Sequence, residues 1–338
     1  MVVPCAARVE TALGSPNGSV CAVTTLDPQI QAALAWSDAQ PGLTLGTDPI
    51  AAIRESYDAS ASVVDADPPT MASITDLGIP ASHGSIPARL FTPEGSLSTG
   101  LVIWLHGGGW FQGSLVSHDP AFRRVAATST TRLLAVDYRL APENPFPCGL
   151  DDVATALDWV FAHTEDLEVD RSKVVIGGDS AGANLALVTA LGVAGTDRSP
   201  ALQVLCYPPL GPTLLTDSLH ELGEGYGLTA AEMTFCWETY LGPWPDHADP
   251  RVSPLLSVDI GAAPPAIVSV GGFDPLRDEV LAYVGLLEGA GVETTLLMEE
   301  TLIHGFMRLS GISDAARNAV ERVGHSIAAA IGDGGDPR

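Results

Sequence analysis

Lysine is nearly missing from this chain. Lys173 stands alone beside fifteen arginines, against 41 carboxylates. A formal net charge of −25 leaves no basic stripe to neutralise phosphates, so nucleic acid and anionic membrane surfaces are excluded as partners. Cysteine is scarce too. Cys5, Cys21, Cys148, Cys206 and Cys236 are odd in number and show no paired spacing. That excludes a disulfide framework and a zinc cluster, and points to free thiols in a reducing compartment, the cytoplasm. No uninterrupted apolar run approaches the roughly 18 residues of a membrane span. Met1–Leu26 has no basic segment leading into an apolar core, so it does not read as a secretory signal. Without periodicity, residues 1–26 are expected to be disordered or loosely packed. Repeats and low-complexity blocks are absent as well.

What is present suits one large α/β unit. The chain has 338 residues, 46% of them hydrophobic, enough for a sizeable core. From Met71 onward, strand-like runs alternate with helical patterns, which predicts a mostly parallel central sheet flanked by helices. The strand candidates are Ser73–Leu77, Ala88–Thr92, Leu101–Leu105, Leu133–Val136, Val174–Ile176, Gln203–Cys206, Ala266–Val270 and Thr294–Met298. Helix candidates include Leu150–His163, Ala181–Leu191, Leu276–Glu288 and Asp314–Ile331. Two stretches break the alternation. Pro28–Trp36 and Asp48–Tyr57 read as helices with no strand between them, and Pro208–Asp249 is a long insertion with a helix at Thr229–Tyr240. The expected division is therefore 27–70 and 208–249 as a helical cap over a domain formed by 71–207 and 250–338. The cap should lie above the carboxyl ends of the strands, where such sheets open their ligand sites.

The chemistry concentrates at those strand ends. Gly178-Asp179-Ser180-Ala181-Gly182 lies between an apolar strand and a helical run. A serine at so tight a turn is held with its Oγ at the top of the sheet, and the helix N-terminus behind it favours developing negative charge. His106-Gly107-Gly108-Gly109-Trp110 follows the strand Leu101–Leu105. Three glycines permit a flexible loop, or a backbone brought close to a reacting atom with its N–H groups unshielded. This is the form the loop takes in many lipases and esterases. In α/β-hydrolases the nucleophile, acid and histidine follow in that chain order. Of the eight histidines only His304 and His325 fall late enough. His325 sits in a helical stretch, so His304, in a turn beyond a strand, is preferred as base. Asp274 is the first carboxylate past the strand Ala266–Val270. It reads as the acid and also as an N-cap for a helix starting at Pro275. Asp278 and Glu279 read as solvated or paired with Arg277, and Arg139 with Glu143 as a structural ion pair.

Taken together, the chain resembles the bacterial hormone-sensitive lipase family of α/β-hydrolase carboxylesterases. The matching stretches are His106–Trp110, Asp137-Tyr138-Arg139-Leu140-Ala141-Pro142-Glu143, Gly178–Gly182, Asp249-Pro250-Arg251, Asp274–Glu279 and His304-Gly305-Phe306, in family order. Ala183 departs from the second glycine usual after Ser-Ala-Gly. The resemblance implies Ser180 as nucleophile, Asp274 as acid and His304 as base, with oxyanion donors from the amides of Gly108, Gly109 and Ala181. It implies hydrolysis of short- to medium-chain carboxylic esters with no metal or organic cofactor, a small-molecule ester as partner, and leaves room for a homodimer. Amidase, lactonase or acyltransferase chemistry on the same triad stays open. A non-catalytic receptor of this fold is disfavoured by the retained His304. Trp110 and Phe111 beside the glycine loop, and Phe235, Trp237 and Tyr240 in the cap, are candidates for substrate contact or for packing.

Overall fold

Five of the strand candidates are apolar at nearly every position, and that pattern demands cover on both faces. The computed structural model describes residues 24–40, 42–95, 98–213, 215–257 and 260–332. Cys5 and Cys21, and the expected disorder of the first 23 residues, lie outside them. Among the described residues eight strands form one sheet: β1 (Met71–Ala81), β2 (Gly84–Pro93), β3 (Leu101–Leu105), β4 (Arg132–Val136), β5 (Val174–Asp179), β6 (Leu202–Cys206), β7 (Ala266–Phe273) and β8 (Thr294–Ile303). Their order is β1-β2-β4-β3-β5-β6-β7-β8. β1 and β2 form an antiparallel hairpin and β2 runs antiparallel to β4; every other pairing is parallel. β3 is buried at all five positions.

The helices are α1 (Pro28–Asp38), α2 (Ile50–Ala59), α3 (Ala61–Val64), α4 (Asp119–Ser129), α5 (Cys148–Ala162), α6 (Ala181–Gly192), α7 (Asp217–Leu222), α8 (Ala230–Leu241), α9 (Arg277–Gly289) and α10 (Asp314–Ile331). α4 packs on α10 and α5 on α6, and these pairs cover the sheet.

The sheet and the long helices follow the sequence reading closely, with two instructive departures. β5 runs through Gly177 and Gly178 to Asp179, although glycine weakens a strand. A Cβ on Gly177 would meet Val204 at 2.9 Å, and one on Gly178 would meet the Leu105 carbonyl oxygen at 2.6 Å. The glycines are there because neighbouring backbone comes close. α4 escaped the periodicity because its buried face carries Arg124. That guanidinium is satisfied by Asp65, at 2.7 and 3.0 Å, so a charge sits where the apolar stripe should run.

Candidate active site

β5 delivers the chain to Ser180, and α6 carries it away. Ser180 has φ 52° and ψ −121°, a backbone region that costs a non-glycine residue about 1–3 kcal/mol. The surroundings hold it there. Its N–H donates to the Cys206 carbonyl at 2.8 Å, and its carbonyl accepts from Asn184 N at 3.0 Å. A side chain on Gly182 would collide with the carbonyl oxygens of Leu105 and His106. The close approach of β3 therefore excludes any larger residue at that position. Ala183, where the family usually has a second glycine, is fully buried in α6.

Ser180, His304 and Asp274 come from three separate strand ends and meet. Ser180 Oγ lies 2.9 Å from His304 Nε2, and His304 Nδ1 lies 2.9 Å from Asp274 Oδ2. A carboxylate only accepts, so Nδ1 carries the ring proton and Nε2 presents its lone pair to the hydroxyl. Asp274 is fully buried, and its Oδ1 accepts the Leu276 N–H at 2.8 Å. The expected N-cap role is corrected here. α9 begins at Arg277 and Asp274 closes a turn ahead of it, which frees Oδ2 for the imidazole. His325 is exposed on α10. Sequence reasoning missed Tyr207, a positive-φ residue just past β6. Its hydroxyl accepts the Met307 N–H at 3.1 Å and its ring lies 4.7 Å from that of His304, bracing the histidine turn.

The glycine loop turns back on itself beside Ser180. Gly108 and Gly109 both have positive φ, and the Gly108 carbonyl accepts from Gln112 N at 3.0 Å. Among the described residues the amides of Gly108, Gly109 and Ala181 have no acceptor. The loop also needs Gly107, because a Cβ there would meet an Asp179 carboxylate oxygen at 2.6 Å. Burial pushes the His106 imidazole down to about 4, so it stays neutral and its Nδ1–H donates to the Gly107 carbonyl at 2.9 Å.

Ser180 and His304 open into a cavity of about 320 Å³. Phe111 lines it, but Trp110, Phe235, Trp237 and Tyr240 do not. Trp110 stacks on Tyr240 at 4.4 Å and packs on Trp237 at 4.4 Å, while Phe235 meets Phe111 edge-on one layer back. Those four rings bind α8 to the glycine loop. The residues of this region that do reach the cavity are Gly227, Leu228, Glu232, Met233 and Cys236, together with Ile303 and Tyr57 from elsewhere. Such scattered residues at the start of α8 and just ahead of it carry no motif, which is why the sequence did not single them out. Two smaller readings also change. Arg139 pairs with Asp152 rather than Glu143, and Glu143 pairs with Arg54 of α2. Asp278 pairs with Arg277 as expected, but Glu279 is buried, and burial lifts its carboxyl to about 8. Its Oε1 accepts the Leu210 N–H at 3.3 Å. Among the described residues no cluster could hold a metal ion, and no helix is long and apolar enough to cross a membrane.

The family described as alpha/beta hydrolase fold matches residues 102–308. Carboxylic ester hydrolase LipN of Mycobacterium tuberculosis is 37% identical over 294 residues, 84% of this chain and 78% of that protein. Ethyl acetate hydrolase of Pseudomonas putida is 33% identical over 269 residues, 78% of this chain and 85% of that one. The solved structure of a hyperthermophilic esterase from the archaeon Pyrobaculum calidifontis superposes with a TM-score of 0.85 at 34% identity, covering 90% of this chain and 98% of that one.

Proposed function

The chain belongs to the α/β-hydrolase fold family, in its hormone-sensitive lipase-like branch of carboxylesterases, and on that footing we propose that it hydrolyses short- to medium-chain carboxylic esters through Ser180, His304 and Asp274. The observation that carries the reading is the unbroken chain from Ser180 Oγ to His304 Nε2 and from Nδ1 to Asp274, at 2.9 Å each. Ser180 Oγ attacks the ester carbonyl while His304 Nε2 takes its proton. Asp274 fixes the tautomer and stabilises the imidazolium. Negative charge on the tetrahedral oxygen is met by the amides of Gly108, Gly109 and Ala181, which have no competing acceptor. The alcohol leaves with the proton from His304, and water, activated by the same ring, cleaves the acyl-enzyme.

Residues 27–70 and 208–249 act as the cap. Leu45 and Tyr57 from the first, and Leu228, Met233 and Cys236 from the second, line the same cavity. Its 320 Å³ lies at the small end of ligand pockets, about 300–1,000 Å³, which supports a short acyl chain. The free thiols of Cys148, Cys206 and Cys236 support a cytoplasmic location. The test is turnover on p-nitrophenyl esters of rising chain length beside the matching anilide, with a phosphonate label mapped by peptide mass. Ester turnover and a label on Ser180 are expected. Preferential anilide cleavage, or labelling of another serine, would overturn the reading.

A further inference from the structure

An oxyanion hole works only if its amides are held in place before the charge appears. A run of three glycines supplies no such stiffness by itself. The loop gets it through its carbonyls. The His106 oxygen accepts from the Tyr138 hydroxyl at 2.8 Å, that of Gly107 from His106 Nδ1, and that of Gly108 from Gln112 N. The Trp110 oxygen accepts from Ala141 N at 3.0 Å. The Phe111 oxygen accepts from Arg54 Nε at 2.6 Å. Arg54 belongs to α2, outside the sheet and its covering helices.

The same guanidinium does more than hold Phe111. Its Nη2 donates to the Ala141 carbonyl at 2.8 Å. Ala141 is the residue whose N–H holds Trp110, so one planar group ties together both backbones that frame the loop. Glu143 locks the fork from behind, at 3.0 Å to Nη1 and 2.7 Å to Nη2. That bidentate pairing fixes the guanidinium plane, which a lysine ammonium cannot reproduce. α2 grips the end of the same loop again, where Asp58 Oδ1 accepts from the Ser114 hydroxyl at 2.7 Å.

We infer that Arg54 is a positioning residue for the oxyanion hole: by clamping Phe111 and Ala141 it holds the Gly108 and Gly109 amides in the geometry the transition state needs. This rests on the proposed esterase reading. It gives α2 a role in rate, beyond walling the cavity.

The test compares wild type with Arg54→Met and Arg54→Lys, with Arg89→Met as a control. Arg89 of β2 pairs with Asp76 of β1, so that variant removes the same charge without breaking a hydrogen bond of the loop. Rates are taken per serine titrated by phosphonate, so unfolded molecules do not count. Losing one oxyanion donor outright costs about 10²–10³ in kcat; a loosened loop should cost less. Arg54→Met is expected to lower kcat by about 10- to 100-fold, with KM within about threefold of wild type. Affinity for a trifluoromethyl ketone should fall in step, because that analogue places an oxyanion in the hole. Arg54→Lys should recover part of both, and Arg89→Met should match wild type. An unchanged kcat per titrated serine in Arg54→Met overturns the inference, as does a loss that leaves ketone affinity intact. If Arg54→Met does not fold, the same two readouts on Arg54→Lys decide. A wild type that neither labels at Ser180 nor turns over esters overturns the esterase reading itself; an active wild type indifferent to Arg54 overturns this inference alone.

Discussion

The two walls of the cavity are built by different means. The strand-end wall, carrying Ser180, His304 and Asp274, is set by backbone. Ser180 is pinned by the Cys206 and Asn184 main chains, Asp274 by the Leu276 N–H, and Gly178 and Gly182 by the nearness of β3. The helical wall is set by side chains stacked on side chains, Trp110 on Tyr240 and Trp237, Phe111 on Phe235. Backbone placement tolerates almost no substitution and gives chemistry its fixed distances. Ring packing tolerates exchange of shape and gives a cavity that can be retuned. The wall proposed to do the chemistry and the wall proposed to sort substrates should therefore break differently.

The largest break belongs to the first wall. Ser180→Ala should lose about five to six orders of magnitude in kcat, as removal of a serine nucleophile does elsewhere, with an unchanged melting curve. Asp274→Asn should cost up to about four orders through a misplaced tautomer. Ester turnover and calorimetry separate this from a fold defect; a loss confined to melting temperature would show that Asp274 only secures its turn.

The second wall should show the opposite signature. Tyr240→Ala should cost about 3–5 kcal/mol of stability in urea titrations, the usual range for a buried aromatic truncated to alanine. Once folded, it should leave the chain-length profile alone. Met233→Ala should do the reverse. It lines the cavity, and a methylene in an apolar pocket is worth about 1–3 kcal/mol, so preference should move about tenfold towards longer acyl chains. Equal profiles for Met233→Ala and wild type would return the task of sorting chains to the stacked rings.

A change of pH, rather than of shape, tests Glu279, behind the strand-end wall. Burial raises its folded carboxyl to about 8, above the roughly 4.3 of an unfolded glutamate. Between those values the folded state binds the extra proton. Its contribution is full below about 4.3 and is lost as pH rises through about 8. Melting temperature should therefore fall from pH 5 to pH 8 more steeply in wild type than in Glu279→Gln. Parallel curves would mean that Glu279 is not protonated in the folded state.

Local pattern was enough for the sheet and most of its long helices, and with the chain order of α/β-hydrolases it singled out Ser180, His304 and Asp274, which the fold brings within hydrogen-bonding reach. A buried strand must be apolar, a sharp strand-to-helix turn must be small around its serine, and the loop residues that follow strand ends are exposed to motif reading. Which side chain meets which across the fold was not legible. Glu143 found Arg54 instead of Arg139, and Glu279 went inside instead of to solvent. The cavity took Leu228, Met233 and Cys236 in place of the larger rings nearby. A strand end is specified by a few consecutive residues, because backbone hydrogen bonds and steric limits act at short range. A pairing between α2 and the glycine loop depends on where the whole chain folds back, and only the packed structure decides that.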